Sequence, residues 1–301
     1  MNRFLLVDGS NLLFQMFFGM PARIVNNQGK AIQGTLGFVG ALLKIIRKIQ
    51  PTHIVVLFDG EHENRRLELD SDYKANRVDY SEVPEEENPF SQLPDVYEAL
   101  DFMGIKHAET TTCETDDWIA GYVLSSGQQT EVIISSLDSD FFQLITDRVS
   151  VLRYRGEKTV ICTPEYIKEK FGINPEQYAD FKSLTGDKAD NIKGADKVGL
   201  KTAALLLNEF GTLENIIANV DNINKPIIKN SENVKQSVIK NGKNIKESII
   251  RNSERLRTNY KIIRLGNNFS ENDELPFELC ELAYNYTGIT TSEVLKGIGL
   301  R

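Results

Sequence analysis

The sequence predicts an α/β fold, a mainly parallel central sheet flanked by helices, followed by a helical region. Three observations predict it. Short apolar runs alternate with helical patterns through the first half of the chain. Three of those runs end in aspartate, at Asp8, Asp59 and Asp138. From about Phe181 the strand signal fades and amphipathic helical patterns take over, which divides the chain into an α/β core over 1–180 and a helical region over 181–301.

The elements follow in order. "RFLLVD" reads as the first strand; Asp8, Asn11 and Gln15 interrupt its likeness to a signal peptide, and no small-residue cleavage site follows. A helix from Gly34 to Ile49 sets Leu36, Val39, Leu43 and Ile46 on one stripe. "HIVVLFD", "VIISSLD" and "VSVLRY" supply further strands. Between them "CETDDWIAGYV" crowds Glu114, Asp116 and Asp117 at the start of a helix that Thr115 is placed to cap. Near the C-terminus "IIKNSENVKQS", "VIKNGKNIKES" and "IIRNSERLRTN" repeat with a period of eleven residues, about three helical turns. That spacing puts Ile227, Val234, Val238, Ile245, Ile249 and Leu256 on one face, with Asn241 and Gly242 expected to turn the chain between two helices.

Composition narrows the chemistry. The chain has 301 residues, 41% of them hydrophobic and 26% charged, as in ordinary globular proteins. No apolar run approaches the roughly 20 residues of a membrane span, so no membrane partner is expected. Three distant cysteines, Cys113, Cys162 and Cys280, suit a reducing cytoplasm, where the protein is expected. Three scattered histidines and no CxxC leave oxygen ligands as the means of holding a metal, which points to Mg²⁺ or Mn²⁺. The net charge of −8 opposes a nucleic-acid partner only on average. From Lys225 to Arg264 eleven basic residues face three glutamates, a local excess of +8 that leaves −16 for the remainder.

In open α/β sheets, ligands sit outside the carboxyl ends of the strands, so Asp8, Asp59 and Asp138 should gather on one edge. Glu114, Asp116, Asp117, Asp140, Asp187 and Asp190 add to them. So many acids would repel one another in a low-dielectric setting, and two divalent cations would relieve them.

The ordered set "LLVDGSNLLF", "LFDG", "RLELDSDYKANR", "ETDDWIAGY", "LDSDFFQL" and "GDKADNIKGADKVGLKTA" resembles the 5′ nuclease, or flap endonuclease, superfamily. It looks closest to stand-alone bacterial relatives of the 5′-3′ exonuclease domain of DNA polymerase I. The resemblance implies a PIN-like nuclease core and a divalent-metal-dependent 5′-3′ exonuclease or flap endonuclease that leaves 5′-phosphate and 3′-hydroxyl ends. It places Asp8, Asp59, Glu114, Asp116 and Asp117 around one metal ion, and Asp138, Asp140, Asp187 and Asp190 around a second. It also implies an arch over about 62–95, with "RLELDSDYKANR" as its first helix carrying Arg66, Tyr73, Lys74 and Arg77. Lys74 and Arg77 would stabilise charge on the scissile phosphate and Tyr73 would stack on a base. The plain alternative is an exposed helix with an Asp70 to Lys74 ion pair. The acidic stretch "VDYSEVPEEENPFSQLP" is expected to be a mobile loop.

A helix-hairpin-helix over about 183–210 is implied to grip duplex DNA through Gly194, Lys197, Gly199, Lys201 and Thr202, with a K⁺ ion in its loop. Here the family's "GVPGIGxKTA" becomes "GADKVGLKTA", with Lys197 in place of a glycine and Lys193 in place of a common proline. DNA with a 5′ end or flap is the implied substrate, with a DNA polymerase as a partner in trans and the protein itself a monomer. An RNA-directed or non-catalytic binder on the same fold is the alternative. An aspartyl-phosphate phosphatase would need a second Asp two residues from Asp8, where Leu6 and Ser10 stand.

Overall fold

The computed structural model describes residues 2–60, 65–223, 232–266 and 274–301. Six strands form the central sheet: β1 (Asn2–Asp8), β2 (His53–Phe58), β3 (Lys106–Glu109), β4 (Thr130–Ser135), β5 (Val149–Arg153) and β6 (Val160–Cys162). Their order is β3-β2-β1-β4-β5-β6; all neighbours are parallel except β5 and β6. Phe4, Leu6, Val55, Leu57, Val132 and Ile134 face one buried layer, and Leu5, Val7, Ile54, Val56, Phe58 and Ile133 face the other. Both faces are therefore covered, as a parallel sheet with crossover helices requires.

On the second face lie α1 (Gly9–Gly19), α2 (Gln33–Ile49) and α4 (Leu93–Phe102). α2 covers the stripe read from the sequence and ends at Gln50, whose φ of 52° closes the helix in the left-handed region. On the first face lie α5 (Thr115–Ser125), α6 (Pro164–Phe171), α7 (Tyr178–Thr185), α8 (Leu200–Phe210), α9 (Leu213–Ala218) and the end of α10 (Glu232–Ile263). A short hairpin, β7 (Gly186–Asp187) and β8 (Ile192–Lys193), joins α7 to the turn before α8. Among the described residues no helix is long and apolar enough to cross a membrane.

Several sequence expectations are corrected. The chain does not turn at Asn241 and Gly242; α10 runs through them without a break. One mid-helix glycine costs only about 1 kcal/mol, and the apolar stripe beyond it holds the helix down, with Ile245, Ile249 and Leu256 buried. Ile227 and the side chains of Val234 and Val238 lie outside what is described. Of the run "RLELDSDYKANR", expected to be one helix, only α3 (Arg66–Leu69) is helical; Ser71 to Arg77 form turns, since Lys74 takes a φ of 56°. The following acidic stretch folds into short 3₁₀ turns at Tyr80–Glu82, Glu85–Glu87 and Pro89–Gln92. The rings of Tyr80 and Phe90 anchor it on Phe14, at 5.2 Å each. The C-terminal segment leaves the helical region altogether: Ala283 bridges to His53, and α11 (Thr291–Gly297) buries Val294 and Leu295 in the layer of α2 and α4. Apolar side chains on a seven-residue helix were too short a pattern to assign to a face.

Candidate metal centre

The strand order reverses direction between β1 and β4, the place where an open α/β sheet leaves a crevice at its carboxyl edge. Asp8 ends β1 there. Its Oδ1 accepts from the Asn11 amide at 3.0 Å and so caps α1, while Oδ2 accepts from the Ser136 hydroxyl at 2.7 Å. Burial and the nearby Asp59 push the Asp8 carboxyl up to about 7. Asp59 follows β2 and is exposed; its Oδ1 accepts from the Thr115 amide at 3.1 Å. The start of α5 is thus capped from a neighbouring strand end. Thr115 itself is the first helical residue and its hydroxyl makes no cap, contrary to expectation, because Glu114 occupies the cap position in extended backbone.

α5 then aims its acids two ways. Asp116 faces the crevice, and burial together with Asp138 pushes its carboxyl well above the ordinary value. Asp117 turns inward, fully buried, with both oxygens held by Arg66 at 2.8 and 3.0 Å. Glu114 receives Lys74 at 2.6 Å, Arg66 at 2.9 Å and the Tyr73 hydroxyl at 3.2 Å. Asp138 follows β4 with its amide on Ser136 and its Oδ1 accepting from the Asp140 amide at 2.8 Å. A cleft of about 1020 Å³ collects Asp8, Asp59, Glu114, Asp116 and Asp138, with Lys74 and Arg77 on its wall. Asp138 thus opens into the cleft with the first set of acids, not only toward the second.

The second set lies beside it. One carboxylate oxygen from each of Asp140, Asp187 and Asp190 lies within 4.8 Å of the others. Burial and Asp138 push Asp140 up to about 7. Asp187 moves the other way: burial opposes it, but the Lys182 ammonium and two backbone amides hold it below the ordinary carboxylate value. Arg77 pairs with Asp190 at 2.7 Å. Lys182, on α7, pairs with Asp140 at 2.7 Å and with Asp187.

The four arch residues take different places from those expected. Arg66 is 3% exposed, and its remaining guanidinium nitrogen donates to the Ile262 carbonyl, so it is buried against protein rather than presented to the cleft. Tyr73 is buried with its hydroxyl on Glu114, so it offers no exposed stacking face. Lys74 reaches Glu114 rather than Asp70, and only Lys74 and Arg77 line the cleft. The segment is tied to the 187–191 loop: the Lys74 amide donates to Asp190, Asn76 to Lys188 and Asn191 to Asp72.

In the hairpin region Gly194 is packed against the end of α7; an added Cβ would meet the Leu184 carbonyl oxygen at 2.4 Å and the Gly186 nitrogen at 2.5 Å. Lys197 has a φ of 65°, so the backbone there turns in the region that favours glycine although a lysine occupies it. Lys197, Gly199 and Lys201 are exposed and Thr202 half-buried, with Gly199 preceding α8. Sequence reasoning missed Lys182, Ser136, Asn76 and Asn191. Lys182 reads as one charge on an amphipathic helix, and no local spacing links it to Asp140.

Fold and site together define the class: an α/β core that gathers carboxylates at the carboxyl edge of its parallel strands, followed by a helical region. The bacteriophage T5 D15 protein, co-crystallised with metal ions, superposes with a TM-score of 0.67 at 23% identity, over 88% of this chain and 90% of that one. A T5 flap endonuclease complex with DNA and metal ions gives 0.65 at 22%, over 99% and 100%. The catalytic core of Rad2 with DNA substrate gives 0.56 at 15%, over 100% and 92%. At these identities the likeness is one of fold. The chain belongs to the 5′-3′ exonuclease family, matching its N-terminal resolvase-like domain over 3–172 and its C-terminal SAM fold over 173–286. DNA polymerase I of Thermus thermophilus is 36% identical over 222 residues, 73% of this chain and 26% of that protein. DNA polymerase I of Lactococcus lactis subsp. cremoris is 36% identical over 231 residues, 74% and 26%. The chain thus spans about a quarter of the length of these relatives.

Proposed function

We propose that the protein is a divalent-metal-dependent 5′-3′ exonuclease and flap endonuclease that hydrolyses DNA phosphodiester bonds to leave 5′-phosphate and 3′-hydroxyl ends. The observation that carries this reading is the convergence of Asp8, Asp59, Asp116 and Asp138, from four separate elements, on one cleft beside Lys74 and Arg77. Their donor set fits Mg²⁺ or Mn²⁺: hard carboxylate oxygens, open to the cleft, mutually repelling and without an ion pair among the described residues. Asp8, Asp59, Asp116 and Asp138, with Glu114 behind them, would hold one ion; Asp140, Asp187 and Asp190 would hold the second. Bound there, the ions supply Lewis acidity and an activated water for in-line attack at phosphorus.

The remaining work falls to the chain. Lys74 and Arg77 present positive charge to a phosphate entering the cleft. Arg66 and Asp117 fix α5 and so the direction of Asp116, and Tyr73 orients Glu114. Lys197 and Gly199 of the exposed loop, with Lys201 and Thr202 of the first turn of α8, would grip a duplex backbone through amides and ammonium groups, with a K⁺ ion in the loop or Lys197 standing in for it. Gly194 contributes by packing. DNA bound to fold relatives supports the substrate class, and the relatives' polymerase supports a DNA polymerase as partner.

The test incubates the protein with Mg²⁺ and end-labelled 5′-flap, duplex, single-stranded DNA and RNA, beside Asp116→Ala and Asp138→Ala. Cleavage of DNA from the 5′ side that needs metal and is lost in both variants is expected. Metal-independent cutting, wild-type rates in both variants, or cutting confined to RNA would refute it. Replacing Lys197 and Lys201 with alanine should weaken duplex binding and lower its salt slope by up to about two, since each phosphate contact contributes about one; an unchanged slope removes the loop from the interface.

A further inference from the structure

We propose that Lys182 is the resident cation of the Asp140, Asp187 and Asp190 trio, and that it sets how strongly the trio takes a divalent ion. The three carboxylates converge within 4.8 Å, where like charges repel strongly. Lys182 supplies the positive charge among them. It is 8% exposed, its Nζ lies 2.7 Å from Asp140 Oδ1, and it also pairs with Asp187 Oδ2. A rigid helix holds it there: next to it on α7, Ser183 donates to the Ala179 carbonyl and accepts, through its own carbonyl, from Asn259 of α10. Arg77 pairs with the third acid, Asp190.

The two acid sets therefore look alike in composition and differ in charge. The trio is opposed by two protein cations in direct contact. In the first set the protein cations Lys74 and Arg66 pair with Glu114 at its back, while Asp8, Asp59, Asp116 and Asp138 have none in an ion pair among the described residues. A divalent ion entering the cleft meets four carboxylates that no protein cation among the described residues touches directly, with Lys74 nearby on Glu114, whereas an ion entering the trio competes with an ammonium already in contact with two of its three members. The two sites fill in sequence, the cleft first, and the trio stays assembled without an ion because Lys182 holds it.

This inference rests on the metal-dependent reading, and direct binding separates the two. Mn²⁺ binding to the full chain is measured by calorimetry without nucleic acid, in wild type, Lys182→Met, Lys182→Arg and Asp116→Ala. Wild type should show one stronger and one weaker ion, with Asp116→Ala losing the stronger. Removing a unit charge in contact with two ligands should tighten the weaker ion at least about tenfold in Lys182→Met, while Lys182→Arg keeps wild-type binding. Because Lys182→Met leaves the trio without its ammonium, Mn²⁺ should raise its melting temperature more than that of wild type. If that variant folds only with metal, Mn²⁺ should restore it where sodium chloride of equal ionic strength does not. An unchanged or weaker second ion, or a Mn²⁺ stabilisation no larger than in wild type, overturns the inference while the first ion stands. No Mn²⁺ binding in wild type overturns the metal-dependent reading itself.

Discussion

Arg66 places a buried guanidinium against both oxygens of Asp117, one oxygen of Glu114 and the carbonyl of Ile262. A single side chain thereby joins the arch base, the start of α5 and the end of α10. Burial works against the charge of Arg66, but Glu114 and Asp117 outweigh it and hold the group above its ordinary value. Truncating it would strand Asp117 as a buried, unpaired carboxylate, so Arg66→Ala should lose about 3–5 kcal/mol in urea unfolding. Lys74→Met removes a cleft-lining charge while Arg66 still pairs with Glu114. It should keep nearly wild-type stability and lose about 10²–10³ in kcat, the usual scale for a preorganised cation at a transition state. Reversed outcomes would exchange their roles. From the sequence both belong to one run, "RLELDSDYKANR", and nothing in it separates the buried cation from the cleft-lining one. The difference arises because Lys74 sits in a left-handed turn that points it to the cleft, whereas Arg66 starts a four-residue helix packed under α10.

At the scale of elements, strand ends and helix starts do the positioning. Asp8 caps α1 and Asp59 caps α5, so two of the cleft acids are also held by backbone amides. Strands β1, β2, β4 and β5 and helix α2 were legible because their apolar periods are long and regular. β3, β6 and α11 were not: each is short, and their faces are chosen by neighbours remote in the sequence. The continuity of α10 was hidden for a related reason, since a local Asn-Gly turn signal is weaker than the burial of Ile245, Ile249 and Leu256 along one stripe. The hairpin supplies a test at this scale. Gly194→Ala would drive a methyl into the backbone at the end of α7 and should destabilise by about 2 kcal/mol or more. The same substitution at Gly199, where an added Cβ meets nothing within 4 Å, should cost less than about 1 kcal/mol. Thermal melts of the two variants compare them directly.

For the whole molecule, the decisive fact is the reversal of strand order between β1 and β4, which brings acids from residues 8 to 138 to one edge. Gathering them has an electrostatic cost. Asp8 and Asp140 carry carboxyls pushed up to about 7 from 3.8, so the metal-free folded state binds more protons than the unfolded one between those values. Stability from these groups is therefore highest at the acid end of the window and falls as pH rises through it. The metal-free protein should melt higher near about pH 6 than near about pH 8, and millimolar Mg²⁺ should shrink that gap by stabilising the ionised carboxylates at the higher pH. A gap that metal leaves unchanged would mean the cluster does not take the ion. The sequence by itself determined the α/β class, the helical second region and the acids that would meet, because apolar period and strand-end aspartates are local signals. Tertiary structure alone decided which acid opens to the cleft and which is neutralised by Arg66, Lys182 or Arg77. Those partners come from elements distant in the chain, and an ion pair depends on separation in space, which residue spacing does not encode.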